Sequence, residues 1–213
     1  MTMQGTVFTI GHSTHPQERF IDLLRRHGVT ALCDVRSSPF SRVNPQFNLD
    51  ALKKVLPKHG IRYLFLGKEL GARSDDPACY EGGKVQYDRL ARTELFQQGL
   101  ARVQDGMSKG FRIALMCAEK EPLECHRTIL VARHLAALGI DVQHIDENGN
   151  PESHNDALRR LAQMVDVPEQ DIFNRSPEEL QDDAYRRQEN RIAYELERAS
   201  ALDEQRVFQR ASG

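Results

Sequence analysis

The stretch from Arg112 to Ile145 constrains the fold more than any other part of the chain. Residues 112–117, Arg-Ile-Ala-Leu-Met-Cys, form a continuous apolar run of strand length. That is the pattern of a strand buried on both faces of a parallel sheet. A polar loop from Ala118 to Cys125 leads into His126 and Arg127. Over 128–138, Ile129, Ala132, Leu135, Ala136 and Leu138 make a wide apolar helical face, and Gly139 sits where a helix stops. Residues 141–145 read as the next strand. Such a strand–loop–helix–strand unit belongs to a parallel α/β sheet, which binds ligands beyond the carboxyl ends of its strands.

The rest of the chain extends this pattern. Runs at 6–10, 29–34 and 62–66 read as three further strands, so the expected fold is a Rossmann-like, three-layer α/β architecture with a mainly parallel sheet of about five strands. Thr14 and Gln17 suggest a capping box for the first helix, with Pro16 in its first turn and Gly28 as its stop. Asn48 is expected to cap a short helix whose Leu49, Leu52, Val55 and Leu56 point inward. One helix is expected over 85–107, with Leu90, Leu95, Phe96, Leu100 and Val103 as its apolar positions. Before it, 67–84 reads as a polar loop outside the core, long enough to be a lid or binding loop. Residues 1–150 are expected to form the α/β domain and 151–213 a helical extension. In the extension, 155–165 reads as a helix. Ser176-Pro-Glu-Glu179 is a strong helix start, opening a helix to about Arg210. Its sparse apolar stripe, including Tyr185 and Ile192, should pack on the domain or on a second subunit, so a homodimer is one expectation.

Across 213 residues the formal net charge is −2, so no global basic field recruits nucleic acid or an anionic membrane. No apolar run is long enough to cross a bilayer, and the start of the chain lacks a signal-peptide pattern. A cytoplasmic location with four reduced cysteines is therefore expected. Cys33, inside an apolar run, reads as a core thiol; His15, His27, His59 and His134 read as surface residues.

Chemistry accumulates at the strand ends: His12 and Ser13, Asp34 and Arg36, Cys117 and Glu119, His144 and Asp146. In a parallel sheet these ends share one rim, so a single site is expected there. Arg36, Arg42 and Arg127 are candidate anion clamps, because guanidinium matches carboxylate or phosphate with a planar fork. The alternative is that Arg36 or Arg127 pairs with Asp34 or Glu119 and holds the loops. Glu119 is the candidate acid–base group and Cys125, at a helix start, a candidate nucleophile of lowered thiol pKa. His126 is a proton carrier or a cap. Cys117 and Asp34 complete the candidate catalytic set, and Ser41, Tyr80 and Tyr87 join the candidate ligand contacts.

Cys117, Cys125 and His126 are donors of the kind zinc takes. Neighbouring side chains in a helix start diverge by roughly 100° per residue, however, so no metal and no other cofactor is expected. Cys125 is expected to be the more accessible thiol, labelled before a buried Cys117.

Taken together, the segments Thr9-Ile-Gly-His-Ser13, Cys33-Asp-Val-Arg36 with Pro39 and Ser41-Arg42, Leu66-Gly-Lys-Glu-Leu-Gly71, and Met116-Cys-Ala-Glu119 through Cys125-His-Arg127 resemble the domain-of-unknown-function family 488. The resemblance runs from about Thr6 to Ile145 and extends to the tail around Ala184–Tyr194. It implies a cytoplasmic α/β domain of bacterial type and names no activity. A partial resemblance to rhodanese-like domains rests on Asp34-Val35-Arg36 and Cys117 and implies sulfur transfer through Cys117. That likeness departs at the loop, where a rhodanese cradle places its arginine much closer to the cysteine than Arg127 lies. The expected function is that of a transferase or hydrolase acting on an anionic or nucleotide-like small molecule. The alternatives are a regulatory or nucleic-acid-associated binding module, and a metal-dependent enzyme.

Overall fold

Alternation of apolar strands with amphipathic helices builds, in a computed structural model, the expected three-layer α/β fold. The structure describes residues 5–168 and 175–196. Strand β1 (Thr6–Gly11) leads through helix α1 (Gln17–Arg26) to β2 (Ala31–Asp34). Helix α2 (Leu49–Val55) and β3 (Arg62–Phe65) follow, and then a short helix, α3 (Gly67–Leu70). A small hairpin of β4 (Tyr80–Glu81) and β5 (Lys84–Val85) precedes helices α4 (Tyr87–Ala91) and α5 (Glu94–Ser108). Strand β6 (Ile113–Cys117) enters a π-wound segment, Arg127–Ala132, that continues as α6 (Arg133–Ala137). Strands β7 (Asp141–Ile145) and β8 (Pro151–Ser153) and helices α7 (His154–Met164) and α8 (Pro177–Ile192) complete the chain.

The main sheet has six strands in the order β3-β2-β6-β1-β7-β8. Five are parallel; β8 adds an antiparallel edge on β7. Because both faces are covered, alternate residues of one strand enter two separate cores. Val7, Cys33, Ile113, Leu115 and Val142 pack under α4, α5, α6 and the carboxyl-terminal helices. Phe8, Ile10, Leu32, Ala114 and Met116 pack under α1 and α2. The helices that follow β1 and β6 thus cover opposite faces, and the crevice between β1, β2 and β6 opens at their carboxyl ends.

Several local expectations are corrected. The helix expected over 85–107 is broken: Thr93 caps α5 by accepting from the Phe96 N–H at 3.2 Å, and Leu95 is exposed. The stretch 67–84 is not outside the core, since Leu70 and Cys79 are buried within α3 and a 3-10 turn. Thr14 makes no cap for α1, whose N-cap is Pro16. Residues 127–132 are wound with i+5 spacing and buried on all sides, so a 3.6-residue stripe could not describe them; Leu138 is exposed. Of the four histidines read as surface residues only His59 is exposed; His15, His27 and His134 are half-buried. The Ser176 capping box forms, but α8 ends at Ile192, and the expected continuation beyond Leu196 lies outside the described residues. No helix among the described residues is long and apolar enough to cross a membrane.

The extension is tied to the sheet by a buried relay. Thr9 Oγ1 lies 2.8 Å from His144 Nδ1, His144 Nε2 lies 3.0 Å from His154 Nδ1, and His154 Nε2 lies 2.9 Å from the Tyr185 hydroxyl. Each neutral imidazole must accept once and donate once, so an added proton breaks the chain of bonds. Burial lowers the His154 pKa to about 4 and holds His144 well below its usual value. Between about pH 6.5 and the folded values, the unfolded chain binds more protons than the native one. Stability from this relay is therefore complete above about pH 6.5 and lost as pH falls toward 4, by roughly 3 kcal/mol for His154 alone. Urea titrations at pH 7.5 and pH 5 should show this loss, with a shallower pH slope in His154→Gln. Equal slopes would contradict it.

Candidate active site at the carboxyl rim

The register of the sheet puts Gly11 opposite Cys117 and Asp34 opposite Met116, so the ends of β1, β2 and β6 lie level. A cavity of about 350 Å³ opens there, with Arg36, Cys117, Glu119, Cys125 and His126 in its wall. A second cavity of about 380 Å³ adjoins it through Arg36, Ser38, Phe40 and Ala118, and includes His12, Ser13 and Ser41.

Asp34 and Arg127 support the site without lining it. Fully buried Asp34 accepts from the Arg36 backbone at 3.1 Å, from Arg36 Nε at 2.9 Å and Nη2 at 2.6 Å, and from the Tyr63 hydroxyl at 2.7 Å. Arg36 also donates to the Phe47 carbonyl at 2.8 Å and to His12 Nε2 at 3.1 Å. Its guanidinium is therefore largely committed, and the loop-holding alternative describes it better than a free anion clamp. His12 donates from Nδ1 to the Ser13 carbonyl at 2.9 Å and stacks on Phe47; burial lowers its pKa to about 4. Ser13 turns the chain with φ 46. Ser41 braces its loop, its N–H donating to Asn48 and its hydroxyl accepting from the Asn44 N–H.

Arg127 is fully buried and has no carboxylate partner among the described residues. Its Nη1 donates to the Glu119 carbonyl at 2.7 Å and its Nη2 to the Lys120 carbonyl at 3.2 Å, fixing the loop that carries Glu119. Arg42 is exposed and lies in neither cavity wall. Tyr80 lies in neither wall; its hydroxyl ties to Ser74 at 2.9 Å. Tyr87 does line the first cavity and is buried. His144 belongs to the relay, and Asp146 accepts from the Asn148 and Asn150 N–H groups in a turn.

At the floor, the ligand atoms of Cys117, Cys125 and His126 all lie within 4.8 Å of one another. The expected divergence of neighbouring side chains does not occur, because Cys125 is extended (φ −137, ψ 139) while His126 is helical. His126 Nδ1 is 3.7 Å from Cys117 Sγ and 3.9 Å from Cys125 Sγ. Its Nε2 is 3.0 Å from the Val35 carbonyl, which only accepts, so Nε2 carries a proton and Nδ1 is the ring nitrogen that faces the sulfurs. Cys125 is not the more accessible thiol: it is 1% exposed, against 3% for Cys117, having turned inward to accept the Arg127 N–H at 3.4 Å.

Burial holds Cys117 as a thiol, its pKa pushed well up. At Cys125 burial also opposes the thiolate, but the Cys117 thiol, Arg127 and His126 outweigh it and bring the pKa well below the usual value. Glu119 presents open surface to the pocket, yet its Oε2 sits 2.9 Å from Cys125 Sγ. Desolvation of that carboxyl, then the neighbouring Cys125, raises its pKa.

Four wall residues are ones that sequence reasoning missed. Phe40 is 64% exposed in the wall, and Arg73, Ile192 and Tyr194 also line it, Arg73 lying 4.2 Å from the Tyr194 ring centroid. The Tyr194 carbonyl accepts from the Val85 N–H at 3.0 Å, which fixes this wall to the hairpin. The sequence signal for Phe40 and Arg73 is position, Phe40 after a strand end and Arg73 in the stretch expected to be a lid; Ile192 lies in the apolar stripe of the tail helix and Tyr194 in the tail segment of the family resemblance.

A family model described as a domain of unknown function, DUF488, matches residues 16–135, more than half of the chain, and the chain belongs to that family. No curated protein matches it, and no solved structure does. The rhodanese-like resemblance is not supported by these comparisons.

Proposed function

We propose that this DUF488 chain is an enzyme, a hydrolase or transferase that takes a small anionic, nucleotide-like ligand at the carboxyl rim of the sheet. One observation carries this reading: Glu119 Oε2 lies 2.9 Å from Cys125 Sγ at the floor of an open cavity of about 350 Å³. A carboxyl beside an electron-rich sulfur, open to a pocket, is placed to move a proton during a reaction. Phe40 offers a flat apolar face for a base, and Arg73, with no carboxylate partner among the described residues, offers a guanidinium for a phosphate. Four free thiols suit a reducing cytoplasm.

Thermal-shift measurements with nucleoside mono- and diphosphates and with inorganic phosphate test this reading. At least one nucleotide should raise Tm, and Arg73→Ala should weaken its binding about tenfold or more, the value of one charged hydrogen bond. Glu119→Gln should retain binding and lose conversion. A panel without any shift, or a shift unchanged by Arg73→Ala, would overturn the proposal.

A further inference from the structure

The geometry points to a metal site: Cys117, Cys125 and His126 bind one divalent cation of the zinc class, leaving a fourth coordination position open to the pocket beside Glu119. The inference rests on reading this pocket as a reaction site.

Distances carry it. Zinc with bonds of about 2.3 Å to sulfur and about 2.0 Å to nitrogen, in tetrahedral array, separates a sulfur from a nitrogen donor by about 3.5 Å and two sulfurs by about 3.8 Å. The two sulfur–nitrogen separations are 3.7 and 3.9 Å, and the two sulfurs lie within 4.8 Å of each other. Three donors carried by a strand end, an extended residue and a helix start thus have both sulfur–nitrogen separations close to the edge of one coordination tetrahedron, and the sulfurs need close by no more than about 1 Å to complete it.

The surroundings match as well. His126 donates its Nε2 proton to the Val35 carbonyl, which orients the ring and leaves Nδ1, facing both sulfurs, as the nitrogen that binds the metal. The Arg127 N–H donates to Cys125 Sγ, the kind of bond that stabilises a thiolate ligand. Charges balance: metal binding leaves both cysteines as thiolates, and two thiolates neutralise a dication. Two thiolates and an imidazole select a borderline-soft ion over magnesium or calcium. Three protein ligands with one open position is the pattern of a catalytic rather than a structural zinc. Glu119, next to that position, would then act on whatever occupies it.

The test uses the full-length protein, stripped with chelator under reducing conditions and titrated with cobalt(II) in the absence of oxygen. A sulfur-to-cobalt charge-transfer band should grow to one equivalent and be bleached by one equivalent of zinc. His126→Ala should lower zinc affinity by at least about 100-fold, while Cys79→Ala, at a buried thiol outside the site, should leave it unchanged. A folded wild-type protein without the band, or a band that survives Cys117→Ser undiminished, would overturn the inference. The cobalt spectrum of the wild type needs no variant to fold. The two readings also fail separately. A saturating cobalt band with no nucleotide-induced shift in Tm retains the metal site and removes the proposed ligand; a nucleotide shift without any band does the reverse.

Discussion

Arg127→Met should lower the unfolding free energy by about 2–4 kcal/mol, as read by urea denaturation at pH 7.5. Arg127 is the largest fully buried side chain among the described residues, and its guanidinium donates to the carbonyls of Glu119 and Lys120. Methionine fills the space and supplies no donor, so two carbonyls lose partners at about 1–3 kcal/mol each. Removing a buried charge recovers part of that cost, because a guanidinium without a carboxylate partner is desolvated. The net loss should also release the loop, so nucleotide binding falls together with stability. Arg127→Lys should be nearly as damaging, since a point charge cannot bridge two carbonyls as a planar fork does. A Met variant within about 0.5 kcal/mol of wild type would show that the loop is held by something else.

Gly11→Ala should be damaging for a single-methyl change, at about 3 kcal/mol. A Cβ on Gly11 would stand 1.8 Å from the carbonyl oxygen of Glu119, which is backbone and already engaged by Arg127. No rotamer change relieves that contact; the end of β1 and the Glu119 loop must separate. Gly139 provides the control. It has φ 79, and a Cβ there would meet nothing within 4 Å, so Gly139→Ala carries only the left-handed backbone cost of roughly 1 kcal/mol. Equal costs for the two would contradict the close approach of β1 to the loop.

Much of the fold is legible because its strands are short apolar runs between glycine and polar stops. Residues 112–117 and 141–145 need only hydrophobic pattern and length. The edge strand β8, with Pro151, Glu152 and Ser153, has no apolar signature and is held by its ladder with β7. The break before α5 turns on one hydroxyl, that of Thr93, inside an otherwise continuous helical pattern. At the site, position after a strand end locates Arg36, Cys117 and Glu119 in one wall, but not what each side chain does. Arg36 is engaged by Asp34, and Arg127 by carbonyls, because burial demands partners that a linear reading does not see. The convergence of Cys125 with His126 depends on one extended backbone residue, which the helical rule at that position excludes. Tyr194 and Ile192 reach the pocket only through long-range packing of the tail.

The pocket as a ligand site is tested most directly by amide chemical-shift mapping with a nucleoside monophosphate on isotopically labelled protein. Shifts concentrated on Ser37, Ser38, Phe40, Arg73, Glu119 and Tyr194, and absent from the Arg73→Ala variant, are the expected result. Shifts confined to the charged outer face of α8, around Arg186 and Asn190, would contradict the site and favour a binding module instead.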